Sequence, residues 1–384
     1  MDRVRIGIAG LGNMGAAHAA AILAGRVPRL ELTAVCDSDP ARLARFAAVP
    51  GFATPEALLA SRTVDAVLVA TPHFAHTTIG IAALRAGLHV LVEKPVSVHK
   101  ADAERLLAAH AGPPQVFAAM FNQRTDPYYR TIRELVQGGG LGEIRRVNWI
   151  ITDWFRTAAY YASSGWRATW AGEGGGVLLN QCPHNLDLLQ WICGQPRRVR
   201  AFCRWGRYHD IEVEDDVTAY LEFANGATGV FITSTGEAPG TNRLEITAEG
   251  GRVVLENDQL TVRRNRVPMS EFSRTSPELF ARPEAVDEIL PVAGHGGQHL
   301  EILANFTAAI LDGAPLVAPA ADGLASVELA NAMLLSAWLH RTIDLPIDAA
   351  QYEKLLRQHI RESTVRKPAG PSAAPADLGK SFGR

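Results

Sequence analysis

Cysteine is scarce in this chain of 384 residues: Cys36, Cys182, Cys193 and Cys203 are its four, and no pair has C-x-x-C spacing. That is too few for a disulfide framework, and without C-x-x-C there is no redox pair, so reduced thiols in a cytoplasmic protein are expected. Basic charge is not in excess. Lys and Arg total 38 against 40 Asp and Glu, a formal net charge of −2, with no long basic run, which leaves no electrostatic footprint for nucleic acid. No apolar run reaches the roughly 20 residues of a membrane span. The N-terminus passes straight into a strand-like segment, without the charged and then apolar leader of an export signal. No internal repeat is visible. What is present is 47% hydrophobic and 20% charged residues. That composition can bury a substantial core, and the length suggests two domains.

The most informative stretch is Val4–Gly15, VRIGIAGLGNMG. An apolar run ends in Gly10, Gly12 and Gly15 and is followed by the alanine-rich Ala16–Leu23, which reads as strand, tight turn and helix with G-x-G-x-x-G at the junction. Gly10 allows the sharp turn, Gly12 lets backbone N–H groups approach a pyrophosphate, and Gly15 lets helix and strand pack closely. Asn13 and Met14 lie inside the motif, at the helix start whose dipole and N–H groups favour phosphate. A second apolar run, Leu30–Val35, ends at Asp37, 22 positions after Gly15, about where an acid that binds an adenosine ribose is expected. The Asp37 carboxylate can accept from both ribose hydroxyls and would repel a 2′-phosphate, so NAD is expected over NADP. Ser38 and Arg42 follow within reach, and Arg42 complicates the preference.

Val64–Ala70 and His89–Val92 read as further buried strands, with Thr77–Gly87 a helix between them and Val116–Phe121 the last strand of the unit. Strands alternating with helices over short connections predict parallel βαβ units. In such sheets ligands bind beyond the carboxyl ends of the strands. There the sequence places Gly10–Gly15, Asp37, Thr71-Pro72-His73 with His76, Glu93-Lys94-Pro95 and Asn122. Lys94 suits the chemistry of hydride transfer from an alcohol, because a cation beside the reacting oxygen stabilises charge developing in the transition state. His73 and His76 form H-x-x-H, and His295 and His299 are four apart across Gly296-Gly297. The first pair lacks a third ligand at sensible spacing, and the two glycines argue against a rigid metal-binding helix for the second, so no metal is expected.

Four stretches together, Gly10–Gly15, Ala70–His76, Ala86–Pro95 and Gly174–Asp187, resemble the Gfo/Idh/MocA oxidoreductases, up to about Asp348. Glu-Lys-Pro after a strand is the most specific element of the match. The resemblance implies an α/β fold with an N-terminal Rossmann domain and a C-terminal α/β domain built on a large, mostly antiparallel open sheet. It also implies homodimers or homotetramers through that sheet, and nicotinamide-dependent oxidation or reduction of sugars and cyclitols such as inositol. Lys94 and His184 match the catalytic positions, and the peptide bond before Pro95 is often cis in the family. Two departures stand out. His73 replaces a common Asn, and Asn180 replaces the usual Asp that accompanies the histidine. Neutral histidine, with an ordinary pKa of about 6.5, is a suitable base near pH 7, so proton exchange is expected to rest on His184, with Asn180 holding either the substrate or His184. Asn180 also keeps open a non-catalytic nucleotide-binding regulator, and the fold is compatible with an enzyme that uses NAD only transiently on glycosides.

The boundary is expected near residue 123, giving a cofactor domain over 1–123 and a substrate and oligomerisation domain over 124–362. A polar, non-periodic tail, expected to be disordered, covers 363–384. Arg124 faces the cleft by family analogy, or else forms an interdomain salt bridge. The stretch from Val147 to Trp170 carries Trp149, Trp154, Trp166 and Trp170 with Phe155, Tyr160, Tyr161, Arg156 and Arg167. It is either a loop that stacks on and hydrogen-bonds a sugar or a subunit interface. Trp154, Arg156, Trp166 and Arg167 join Arg124 and Asn180 as substrate-site candidates. Val177–Gln190 has helical spacing, which sets Asn180, His184 and Asp187 on one face. Asp187 is as readily a packing group. From Val199 to Arg264 alternating segments predict antiparallel strands, with a hairpin at Asn225-Gly226. Pro268–Pro291 reads as an irregular insertion.

Overall fold

In a computed structural model, residues 2–367 are described. Beyond Lys367 the tail expected to be disordered lies outside the described residues. Strands β1 (Val4–Ala9), β2 (Leu30–Cys36), β3 (Gly51–Phe52), β4 (Ala66–Val69), β5 (His89–Val92) and β6 (Phe117–Ala119) form one sheet in the order β3-β2-β1-β4-β5-β6. Every pairing in it is parallel. The chain steps outward from β1 in both directions, so the carboxyl ends of β1 and β4 flank the crevice where such sheets bind ligands. Val67, Leu68, Val90 and Leu91 are fully buried, as expected of strands covered on both faces by helices.

The second sheet has nine strands: β7 (Ile144–Ile151), β8 (Arg198–Trp205), β9 (Glu214–Glu222), β10 (Thr228–Ser234), β11 (Asn242–Ala248), β12 (Gly251–Glu256), β13 (Gln259–Asn265), β14 (Ala285–Leu290) and β15 (Ile343–Asp344). Their order is β14-β13-β12-β11-β7-β10-β9-β8-β15. All neighbours are antiparallel except β7 and β10. The turn at Asn225-Gly226 joins β9 to β10, with Gly226 at φ +86°. One face of the sheet is buried beneath the helices Pro183–Cys193 and Gly323–Leu339, both rich in buried leucine. The other face carries Ile150, Val230 and Ile232 half-buried and Phe202 and Tyr220 exposed.

Three sequence expectations are corrected here. The segment Pro268–Pro291 is not irregular: it contains the helix Met269–Thr275 and edge strand β14. Its charges hid it, because they serve cross-strand pairing, with Arg263 opposite Asp287 and 3.6 Å from it. The helix expected over Thr77–Gly87 runs His73–Arg85, starting directly after Pro72, whose ring fixes φ at −58°. The helix expected over Val177–Gln190 is two, Val177–Asn180 and Pro183–Cys193, because Pro183 has no N–H to continue the ladder. Asn180 and His184 therefore do not share one helix face.

The two cores do not divide at residue 123. Ile302, Leu303 and Phe306, on the helix Gln298–Asp312, pack into the core of the first sheet. Lys100, on the helix Lys100–Ala108 of the first unit, is buried against the second, donating to Glu328 at 2.7 Å and to the Ile347 carbonyl at 2.9 Å. Among the described residues no helix is long and apolar enough to cross a membrane.

Candidate active site

The glycine motif forms a cradle. A Cβ on Gly10 (φ +93°) would sit 2.6 Å from the Ala70 carbonyl oxygen, and one on Gly15 would overlap the Gly10 carbonyl oxygen, whereas one on Gly12 would meet nothing within 4 Å. Close packing thus surrounds an open position at Gly12, which caps the helix Asn13–Leu23 without any side-chain hydrogen bond. The first N–H groups of that helix, including those of Asn13 and Met14, have no intrahelical acceptor, and this suits a pyrophosphate. At the end of β2, Asp37 is 8% exposed and fixed by the Leu11 N–H (2.7 Å) and the Asp39 N–H (2.9 Å). Arg42 lies 3.5 Å from it and Ser38 is exposed beside it. At the end of β4, the Thr71 hydroxyl oxygen is buried and meets no partner among the described residues, and Pro72 is exposed. Cradle, acid and unpartnered hydroxyl lie along the carboxyl ends of adjacent strands and fit a dinucleotide.

At the end of β5 the Lys94–Pro95 peptide is cis. The half-buried Lys94 ammonium donates to the Asn180 carbonyl oxygen at 2.8 Å, which bridges the two domains. Burial pulls the Lys94 pKa down; Glu93 and Glu173 oppose this, while Arg167 and Arg156 add to it. His184 is buried, with its ring edge-to-face against Phe121 at 6.3 Å. Burial, the Lys94 charge and His299 press its pKa well below the ordinary histidine value, so the imidazole is neutral at pH 7. Beneath Lys94, Glu93 accepts from His18 (2.8 Å) and from the Lys94 N–H (3.1 Å). Burial alone would raise the Glu93 pKa, but the His18 bond and the nearby His299 and Lys94 charges hold it at about 2.

Four residues expected to touch cofactor or substrate are hydrogen-bonded to other protein groups. Arg124 is 1% exposed: Nε and Nη2 donate to Asp187 at 2.7 and 2.6 Å, and Nη1 donates to Asp322 at 2.6 Å. It is a buried tie, the salt-bridge alternative of the sequence reading, and Asp187 is its partner. Asn122 is wholly buried and donates to Gln298 at 2.6 Å. Both oxygens of Glu93 go to protein donors. His76 sits with one ring nitrogen 2.8 Å from the Pro95 carbonyl and the other 2.8 Å from the Thr71 carbonyl, which anchors the two strand-end loops to each other. His73, 5% exposed, contacts Trp166 edge-on at 5.5 Å and the Glu173 carbonyl at 3.4 Å.

The aromatic stretch divides in two. Trp149 is core, against Tyr129 and Phe231, and Trp170 packs on Trp205, Trp338 and His359. Trp154, Tyr160 and Trp166 instead carry the arginines: Arg156 lies 5.2 Å from Trp154 and 5.1 Å from Tyr160, and Arg167 4.6 Å from Tyr160 and 5.0 Å from Trp166. Arg167 donates to the Tyr160 hydroxyl, which donates to the Asn180 side chain, whose backbone carbonyl receives Lys94. Sequence reasoning placed Tyr160 only within the aromatic group and missed Glu173 in this chain. The Asn180 amide donates to the Glu173 carboxylate, which also accepts from the Ala168 N–H at 2.7 Å. Asn180 therefore turns toward Glu173 and Tyr160, and the buried carboxylate of this region comes from the loop before the glycine triplet. Only the proximity created by that loop reveals it.

The triplet is needed because a Cβ on Gly176 would collide with the Glu214 carbonyl oxygen. The Glu214 side chain is fully buried and accepts from the Gly176 and Leu178 N–H groups at 2.8 and 3.1 Å, holding the start of the helix that ends at Asn180. Burial raises its pKa to about 7. The folded protein thus retains a proton that the unfolded chain releases from about pH 4.5, so stability falls as pH rises through this window and levels off above it. A shift of this size corresponds to about 3 kcal/mol. The difference in unfolding free energy between wild type and Glu214→Gln, measured by urea denaturation from pH 4 to 8, is expected to change by that order in favour of the variant as pH rises. A pH-independent difference would refute the titration.

Among the described residues no group of three His, Cys, Asp or Glu side chains could hold a metal ion.

Two family models match the chain and together span more than half of it: "Oxidoreductase family, NAD-binding Rossmann fold" over residues 4–119 and "GFO/IDH/MocA C-terminal domain" over 129–254. Inositol 2-dehydrogenase of Rhizobium meliloti is 28% identical, covering 89% of this chain and 99% of its own. Levoglucosan dehydrogenase of Pseudarthrobacter phenanthrenivorans is 24% identical over 90% of this chain and 99% of its own. Among solved structures, the WlbA dehydrogenase from Chromobacterium violaceum in complex with NADH and UDP-GlcNAcA superposes with a TM-score of 0.78 at 27% identity, over 91% of this chain and 97% of that one. With both of its domains matched and a lysine from the first sheet resting on the second domain, the chain belongs to the Gfo/Idh/MocA family of NAD-binding oxidoreductases.

Proposed function

We propose that the protein oxidises a secondary hydroxyl, or reduces the matching ketone, on a sugar, sugar derivative or cyclitol. The observation that carries this reading is the Lys94 ammonium, held at 2.8 Å on the Asn180 carbonyl where both domains meet. An ammonium has three donors, so one fixes its direction and the others remain for a substrate oxygen. Lys94 stabilises negative charge on that oxygen, and the neutral His184 takes up the alcohol proton or returns it in the reverse direction. Gly10, Gly12, Asn13, Met14 and Gly15 cradle the pyrophosphate, Asp37 with Ser38 holds the adenosine ribose, and Thr71, Pro72 and His73 line the nicotinamide end. Bound there, NAD supplies the hydride acceptor and, reduced, the donor. NAD is favoured over NADP because the Asp37 carboxylate would face a 2′-phosphate with like charge, although Arg42 stands 3.5 Å away. The inositol and levoglucosan dehydrogenases among the relatives support a ring bearing several hydroxyls as substrate.

The outer face of the second sheet, with Phe202 at 61% and Tyr220 at 43% exposure, supports a homodimer or homotetramer through that face, since large apolar side chains in a row are covered in stable assemblies. The unpaired state of Cys36, Cys182, Cys193 and Cys203 supports a reducing, cytoplasmic location.

The test is absorbance of NADH on mixing protein and NAD with a panel of sugars, sugar acids and cyclitols. Net NADH formation with at least one member is expected; NAD binding with no turnover in either direction across the panel would overturn the reading. Asp37→Ala is expected to weaken NAD binding about 10–100-fold, the equivalent of a charged hydrogen-bonding partner, and NADP binding less. Equal losses would overturn the NAD assignment.

A further inference from the structure

The side of the site that faces the substrate carries more positive charge than the protein neutralises. Lys94, Arg156 and Arg167 converge on Tyr160 and Asn180, the two arginines stacked on the Tyr160 ring at 5.1 and 4.6 Å. Lys367 joins them from the C-terminal side, donating to the Arg167 carbonyl at 2.9 Å. Asp210 and Glu212 face Lys367 and offset its charge, which leaves two carboxylates beside Lys94 and the arginines. Glu93 is committed to His18 and to the Lys94 backbone. Glu173 accepts from the Ala168 N–H and the Asn180 amide and lies 3.7 Å from Arg167. Burial raises the Glu173 pKa despite Arg167, and even as a full anion it offsets only one of the three cations Lys94, Arg156 and Arg167. The nearby histidines, His73 and His184, are pressed toward the neutral form by burial.

The arginines also lack acceptors. Arg156 donates through Nη1 to the Phe155 carbonyl, and Arg167 through Nη1 to the Tyr160 hydroxyl, each at 2.9 Å. The Nε–H of each is buried and meets no acceptor among the described residues. Neutral hydroxyls can fill missing hydrogen bonds, but they cannot offset a surplus of charge. A carboxylate does both: its two oxygens match the planar edge of a guanidinium, and it cancels one unit of charge in a place where low dielectric magnifies the repulsion between the cations.

We propose that the substrate is a sugar acid or cyclitol acid, whose carboxylate draws Arg156 and Arg167 off the rings and binds between them while Lys94 meets the reacting hydroxyl. The inference rests on the oxidoreductase reading of the same site and specifies its substrate class.

Calorimetric titration of NADH-loaded protein tests it, comparing glucuronate and galacturonate with glucose, galactose and myo-inositol, and with glucose 6-phosphate as a second anion. At low ionic strength the uronates are expected to bind about tenfold or more tightly than their neutral counterparts. The advantage shrinks as salt rises and screens the charge, and it falls toward unity in Arg167→Gln and Arg156→Gln, with NADH affinity reporting that each variant is folded. Equal affinity for acid and neutral sugars, with NADH bound, overturns the charge inference alone. Preference for the phosphate over the uronates overturns the carboxylate. Failure of NADH to bind overturns the oxidoreductase reading, and this inference with it.

Discussion

Lys94→Ala is expected to lower turnover about 10²–10³-fold, the usual cost of removing one donor aimed at a developing oxyanion. The loss should fall on kcat more than on KM, because the ammonium interacts most strongly with the transition state. A second signature separates this role from simple damage. The Lys94 charge helps to press the His184 pKa down; without it, the acid limb of the residual pH–rate profile moves to higher pH. Lys94→Arg keeps the charge but changes its shape and reach, so it is expected to rescue poorly. Steady-state kinetics across pH, with NADH binding as a control for folding, checks all three. Turnover within a few-fold of wild type in Lys94→Ala would remove the lysine from the chemistry.

Arg124→Met should act on stability. It strands Asp187, which is 1% exposed, without the guanidinium that now donates to both of its oxygens. Breaking one side of a buried pair typically costs about 3–5 kcal/mol, a large part of the stability of an ordinary domain. Burial already raises the Asp187 pKa despite Arg124. In the variant the carboxyl is pushed further up and folds preferentially protonated, so the deficit is larger at pH 8 than at pH 5. Asp322, 39% exposed at its side chain, loses a partner but stays solvated. Combining Arg124→Met with Asp187→Leu should cost less than the sum of the two, as for residues in direct contact. Urea denaturation at the two pH values measures this. An unchanged midpoint together with a raised KM would return Arg124 to the substrate site.

Two elements show why parts of this protein were legible and others not. The cofactor cradle is a local object: Gly10 and Gly15 are each required by crowding backbone while Gly12 is left open between them, and that need leaves a mark in nearby letters. The same holds for Pro72, which starts a helix, and for Asn225-Gly226, which turns a hairpin. Strand β14 was hidden because its alternation is charged, and the charges make sense only against Arg263 and Arg264 of β13. Arg124 was ambiguous for a similar reason. Its partners stand 63 and 198 positions away, and a sequence does not state which distant carboxylate will be buried beside it.

At position 180 the two kinds of information separate most clearly. The chain alone determined that a dinucleotide fold is followed by an antiparallel sheet, because hydrophobic period and glycine spacing are short-range constraints; the catalytic expectation for Lys94 and His184 is what the family resemblance implies. Only the tertiary structure decided that Pro183 splits the helix between Asn180 and His184, that Glu173 supplies the neighbouring carboxylate, and that two arginines gather on Tyr160. Those outcomes depend on which loops meet when two sheets pack, and charge becomes costly or useful only after that meeting has excluded water.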